Sequence, residues 1–190
     1  MNRQPFLVAV GDNCVDYYVQ TRTGYPGGNP VNVAVYFTRL GGRAAYIGAV
    51  GTDEGGARIC DGLRRKNVDI SHIHTVQGST AVTRVALRDG DRVFLDYNEG
   101  VMADFTLTEA DMDFLCTADM VVGGISGHGE RYFPRIHSDG IPTAFDFSDE
   151  YDDPASATIF PCVEVAFFSY DGSDAAGFLR RMRERGPAVC

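Results

Sequence analysis

The sequence predicts an α/β fold built on a parallel sheet that is buried on both faces. Short apolar runs at residues 6–10 and 44–50 are each stopped by glycine, as strands covered on both sides are. Segments of helical period with start and stop signals lie between and after these runs. One stretch with polar and apolar alternation, residues 80–97, has the character of an antiparallel ribbon and does not belong inside such a sheet.

The elements follow in order. Between the first two strands Asn29 is placed to N-cap a helix, with Pro30 at its first position. Apolar residues follow at Val31, Ala34, Val35 and Leu40, and Gly41-Gly42 closes the helix; this makes one βαβ unit. A second helix fits residues 54–66, with Ile59, Cys60 and Leu63 inward and Asn67 as a left-handed stop. Residues 80–97 read as a hairpin turning at Asp89-Gly90-Asp91, and its one polar face makes it a projecting flap. Thr108 and Asp111 form a capping box for a helix carrying Phe114 and Leu115. Strands are expected at residues 120–122, 143–147 and 163–168, with a helical stretch at 132–137 between the first two. Ser173 or Asp174 caps a last helix through Phe178, Leu179 and Met182, ended by Gly186-Pro187. Ala188, Val189 and Cys190 read either as the opening of a further buried strand, which would make this an interrupted domain, or as a frayed tail.

Composition bounds the function. The 190 residues make one ordinary domain, or one domain with a small appendage, on a prior of roughly 100 to 200 residues each. With 44% hydrophobic and 23% charged residues, the chain is neither disordered, collagen-like nor coiled coil. No repeat, low-complexity tract or linker divides it. Lys+Arg of 17 against Asp+Glu of 26 gives a net charge of −9. That is the wrong sign for tracking phosphates, so nucleic acid and anionic membranes are not expected partners. Cys14, Cys60, Cys116, Cys162 and Cys190 are odd in number and contain no CxxC; they read as buried thiols of a reducing compartment. The apolar run at residues 6–10 is shorter than a signal or spanning segment, which points to the cytoplasm.

Neither a GxxxxGK[ST] loop nor a GxGxxG after the first strand is present, and the glycines of GGISGHGE at residues 123–130 have the wrong spacing for a dinucleotide. His72 and His74 share a strand face without a ligand set to complete them, and read as a polar strand entry. The strongest local signal is GGNPVNVAVYFTRLGGRAAYIGAVG at residues 27–51. Its paired glycines allow close backbone approach to a ligand, and Asn29 and Asn32 supply amides suited to neutral hydroxyls. Asp12 and Asp16 lie just past the first strand, where open α/β sheets bind ligands. They and Asn32 either hold hydroxyls or serve locally, Asp12 capping a turn and Asn32 satisfying nearby backbone.

Gly27-Gly28-Asn29-Pro30-Val31-Asn32-Val33-Ala34, then Gly41, Gly51 and VGTDEGG, resembles the N-terminal signature of the ribokinase-like (PfkB) carbohydrate kinases. The resemblance implies a Rossmann-like, ribokinase-like parallel sheet with helices on both faces and a small β-sheet lid, here residues 15–25 and 80–98. It also implies ATP and Mg2+ as cofactors of the intact enzyme and a homodimer formed through the lid. DGDRVFLDYNEGVMADF at residues 89–105, with GDNCVD, NVDISHIHT and TAFDFSD, is similar to members that act on fructosamines. The implied reaction is phosphorylation of the 6-hydroxyl of fructoselysine or a related fructosamine.

Carried over by position, Asp16 and Asn32 hold sugar hydroxyls and Gly27 and Gly28 lie beneath the sugar, with Asp12 and Asn13 on the same loop. Phe94, Asp96 and Tyr97 cover the substrate. Asp96 or Glu99 meets the ammonium of a lysine moiety, or else forms a solvated edge. His128 and Glu130 reach the sugar. Asp146 lies near the phosphates, but Ser169-Tyr170-Asp171-Gly172 replaces the family's usual asparagine and glutamate, so no metal ligand is assigned. The family's base and anion hole belong to a GAGD motif, which this sequence lacks together with the adenine region. The expectation is therefore an incomplete domain over residues 1–190, C-terminal part missing. It would hold the sugar half of the site, without turnover of its own, or would act as a non-catalytic sugar-binding or dimerisation module.

Overall fold

A computed structural model describes residues 3–190. In chain order the elements are β1 (Phe6–Val10), β2 (Cys14–Tyr18), β3 (Thr23–Gly27), α1 (Asn29–Arg39), β4 (Arg43–Ile47), β5 (Ala49–Gly51), α2 (Glu54–Arg64), β6 (Val68–Asp69), β7 (His74–Val76), β8 (Val82–Arg88) and β9 (Asp91–Asn98). A 3-10 turn at Gly100–Asp104 leads to α3 (Glu109–Leu115), β10 (Met120–Gly124), α4 (Phe133–Ser138), β11 (Thr143–Asp146), α5 (Pro154–Ile159), β12 (Val165–Phe167) and α6 (Ala175–Glu184). Six strands form the central sheet in the order β12-β11-β10-β1-β4-β6, all of them parallel.

The period of two along β1 divides the core. Phe6, Val8 and Val10 point into the layer made by Met112 and Leu115 of α3, Phe133 and Ile136 of α4, and Phe178 and Met182 of α6. Leu7 and Ala9 point into the other layer, with Val31 and Ala34 of α1 and Ile59 and Leu63 of α2. A strand buried on both faces must be apolar throughout, which is why FLVAV carries no polar residue. The Thr108–Asp111 capping box forms as expected. Asp53 caps α2 by accepting from the Gly56 N–H, and Asn67 adopts a positive φ of 58° after it.

Three expectations need correction. Residues 44–50 are two strands rather than one: β4 stays in the main sheet and β5 leaves it to pair with β7. The buried Tyr46 side chain folds back so that a Cβ on Gly48 would lie 2.1 Å from its hydroxyl. That hydroxyl donates to the Gly11 carbonyl at 2.6 Å, so the chain has to turn at Gly48. Asn29 does not cap α1. Gly28 holds the cap position at φ 106° without a side-chain bond, because the Asn29 amide instead donates to Asp146 Oδ2 at 2.7 Å. The thiols are not all buried, since Cys116 is exposed at the solvent side of the α3 C-terminus.

Val189 bridges Val165 of β12 in parallel, and its carbonyl accepts from the Ala166 N–H at 2.9 Å, yet its side chain is exposed. Among the described residues no helix is long and apolar enough to cross a membrane.

Candidate functional site

After β1 the chain leaves the central sheet and builds a second one. Gly11 takes φ +116° where its backbone packs on Gly127, at a spacing that leaves no room for a side chain. β2 then pairs antiparallel with β3 and parallel with β8, and β8 pairs antiparallel with β9, giving the order β3-β2-β8-β9. Between this small sheet and the start of α1 lies a cleft of about 520 Å³. Asp12, Cys14, Asp16, Gly28, Asn29 and Asn32 line its inner side. Thr83 of β8, Arg92 and residues 94–97 of β9, and Ser126 complete it.

A bulge explains how four consecutive residues of one strand reach the same cleft. Arg84 is opposite Asp96 but Val85 is opposite Phe94, so Leu95 is an extra residue on β9. Bulges bend a strand and re-aim its side chains; regular alternation would have turned every second residue of 94–97 away.

The inner side is acidic and partly dry. Burial pushes the Asp12 carboxyl up to about 6, opposed by a hydrogen bond from the Asn29 backbone and reinforced by the nearby Asp146 charge. Asp146 is itself raised, first by burial, while hydrogen bonds from Ser148 N–H and the Asn29 amide act the other way. Asp16 accepts a bond from the Cys14 thiol at 3.3 Å, and burial pushes that thiol up to about 12. A Cβ on Gly27 would come within 2.6 Å of Asp16 Oδ2; Gly27 is the space in which this carboxylate sits. A Cβ on Gly28 would lie 2.6 Å from the Asp12 carbonyl oxygen. The Asn32 side chain makes no hydrogen bond to protein among the described residues, which leaves its amide available at the cleft.

Comparison with known proteins decides the family. Residues 4–144 match the model of the pfkB family carbohydrate kinases. The chain belongs to the PfkB family. Fructoselysine 6-kinase of Shigella flexneri is 50% identical over 170 residues, which cover 90% of this chain and 65% of that protein. Its Escherichia coli counterpart is also 50% identical, with 88% and 64% covered. A fructosamine kinase of Bacillus subtilis is 37% identical, with 88% and 60% covered. The chain thus spans slightly less than two thirds of the length of these relatives. In fold it is similar to Arabidopsis thaliana ribokinase, solved with ribose and ATP, at a TM-score of 0.82 and 17% identity, covering 98% of this chain and 71% of that one.

In this PfkB chain Asp12, Asp16, Gly28, Asn32, Phe94, Asp96 and Tyr97 meet at one cleft, although they come from three separate parts of the sequence. Six other candidates do not line it. Asn13 is fully buried, and its amide donates to the Tyr46 hydroxyl at 2.9 Å and the Ala49 carbonyl at 2.8 Å. It ties the loop after β1 to β4 and β5. Gly27 acts through Asp16, as above. Glu99 and His128 face each other at 3.3 Å, and Glu130 turns one carboxylate oxygen into the protein, where it has no partner. Asp146 borders a second cleft of about 270 Å³ that shares Asn29 and Asn32 with the first.

Sequence reasoning missed Cys14, Thr83, Arg92, Leu95 and Ser126 as lining residues; for β9, the hairpin pattern plus a bulge was the only signal available. It also missed the partner of the two histidines. Asp111 accepts from His72 Nδ1 at 2.8 Å and His74 Nε2 at 2.9 Å while still bonded to Thr108. The two bonds tie β7 and the segment before it to the first turn of α3.

Proposed function

We propose that the chain carries the sugar-binding part of an ATP-dependent kinase that phosphorylates the 6-hydroxyl of fructoselysine or a related fructosamine. The observation that carries this reading is the single cleft in which Asp16 and Asn32 face Phe94 and Tyr97. A carboxylate accepts bonds from two vicinal hydroxyls and an amide both donates and accepts, so Asp16 and Asn32 suit a polyol. The aromatic side chains of β9 suit the apolar faces of the same molecule. The 50% identity to fructoselysine 6-kinases supports the fructosamine over a simple sugar.

In such a transfer the acceptor oxygen bonds to the γ-phosphorus, its proton passes to a base, and the bond from phosphorus to the ADP oxygen breaks. The residues of this chain bind and orient the acceptor. The second cleft beside Asp146 is bordered by Asn29, Pro30, Asn32, Val33, Val122, Gly123 and Phe167, none of them basic. ATP and Mg2+ belong to the proposal for the whole enzyme.

Location in the cytoplasm and a homodimer through residues 80–97 complete the reading. Leu87, Phe94 and Leu95 are exposed on the small sheet, whereas Val85 is fully buried within the chain. Calorimetric titration with fructoselysine, fructose and ribose tests the proposal, together with an ADP-release assay on the same sample. Binding of fructoselysine in preference to the simple sugars, without ADP release, is expected. Absence of fructoselysine binding would overturn the reading, and turnover would require a base among the residues present, such as Asp146.

A further inference from the structure

We propose that Arg92 anchors the carboxylate of the amino-acid part of the substrate, so that the cleft selects glycated amino acids over sugars and glycated amines without an acid group. This rests on the fructosamine reading above and names the group that gives it specificity.

The first observation is the charge balance of the cleft. Asp12, Asp16 and Asp96 line it, and Arg92 is the one cation among its lining residues. Asp96 already has a partner in Arg84 at 3.0 Å. The Arg92 side chain makes no ion pair or hydrogen bond among the described residues, and its guanidinium lies 5.9 Å from the centre of the Phe94 ring. Every other charged side chain lining the cleft is an acid, so Arg92 is the one group there that offers a substrate carboxylate an ion pair. A guanidinium offers a planar fork that matches a carboxylate with two parallel hydrogen bonds.

The second observation is distance. Asp16 is opposite Thr83, and Thr83 is opposite Tyr97, so these residues mark the sugar end of the small sheet. Arg92 is opposite Leu87, four residues further along β8, which is about 13 Å at 3.3 to 3.4 Å per residue. In a lysine glycated on its side-chain amine, about eight bonds separate the sugar carbonyl carbon from the carboxylate carbon, roughly 10 Å when extended at the per-bond rise of a polypeptide. The arginine side chain spans the remainder. A substrate with its sugar between Asp16 and Asn32 thus brings its carboxylate to Arg92, and a free hexose cannot reach it.

The test is calorimetry on the 190-residue chain with three ligands: fructoselysine, its carboxamide, and butylamine glycated in the same way. The carboxamide and the butylamine compound are expected to bind about five- to tenfold more weakly than fructoselysine, the range where exposed ion pairs give way to charge-assisted hydrogen bonds. Arg92→Gln is expected to weaken fructoselysine by the same factor and leave the carboxamide unchanged, with Arg92→Lys between the two. Equal affinity of wild type for the acid and its carboxamide overturns the anchor while leaving the sugar site standing; this comparison needs no variant to fold. Failure of all three compounds to bind overturns the fructosamine reading and the anchor with it.

Discussion

Replacing Asp12 with asparagine is expected to stabilise the fold near neutral pH and to have little effect in acid. Burial is the main reason that the Asp12 carboxyl is raised from 3.8 to about 6. The folded state therefore holds this proton more tightly than the unfolded chain does. The sign follows from linkage: the group's stabilising contribution is fully present below about 3.8 and is lost as pH rises through about 6. A gap of about two pKa units at 1.36 kcal/mol each corresponds to ~3 kcal/mol. Asparagine has the same shape, cannot ionise, and keeps an oxygen to accept from the Asn29 N–H, so it avoids that cost. Urea unfolding of wild type and Asp12→Asn, followed by circular dichroism between about pH 4 and pH 8, reads the difference directly. The advantage of the variant should grow through the interval from 4 to 7 and then level off. A difference independent of pH, or a variant less stable than wild type at pH 7.5, would refute the claim that the buried charge is what costs stability.

Asp16→Ala is expected to lower fructoselysine affinity in the same calorimetric assay by roughly tenfold or more, since each hydrogen bond to the carboxylate is worth about 1.5 to 3 kcal/mol. Gly27→Ala should approach that loss without touching the carboxylate's chemistry, because its Cβ would stand 2.6 Å from Asp16 Oδ2; an unchanged affinity would mean that Asp16 can move aside without cost. Phe94→Asp puts a charge on the exposed face of β9 and is expected to turn a dimer into a monomer by light scattering, and equal masses for variant and wild type would rule that face out as the interface.

What was legible in the sequence was what local physics determines. FLVAV had to be a doubly buried strand, Thr108 with Asp111 had to start a helix, and Asp89-Gly90-Asp91 between alternating segments had to turn. Helix α5 was missed although Asp153 and Pro154 supply its cap and first-turn signals, because its six residues are too few to show a period. The break at Gly48 depends on where the Tyr46 hydroxyl goes, and the capping role expected of Asn29 is lost to Asp146, 117 positions away. The Asp111 carboxylate meets two histidines 39 and 37 positions earlier. Contacts of that range leave no trace in local spacing. For the site, a motif located Asp16, Gly27, Gly28 and Asn32, whereas Arg92 and Leu95 needed the register of β9 and its bulge.

The two walls of the cleft differ in how firmly they are held, and this bears on how it binds. Asp12, Asn29 and Asn32 stand at the end of β1 and on the first turn of α1, elements fixed by the parallel sheet and by Asn13, whose buried amide pins the intervening loop to Tyr46 and Ala49. Burial raises the Asp12 and Asp146 carboxyls, and the Asp146 charge adds to the rise at Asp12. The opposite wall is β9, an edge strand whose Phe94 is 65% exposed and whose Tyr97 is 46% exposed. An edge ribbon with bare aromatic side chains gains burial only when something occupies the space beneath it. The rigid wall therefore contributes directed hydrogen bonds that select hydroxyl geometry. The exposed wall contributes apolar contact and, through Arg92, a charge whose value depends on the length and acid group of what is bound. Discrimination among sugars belongs to the first wall, and discrimination among the amines attached to them belongs to the second.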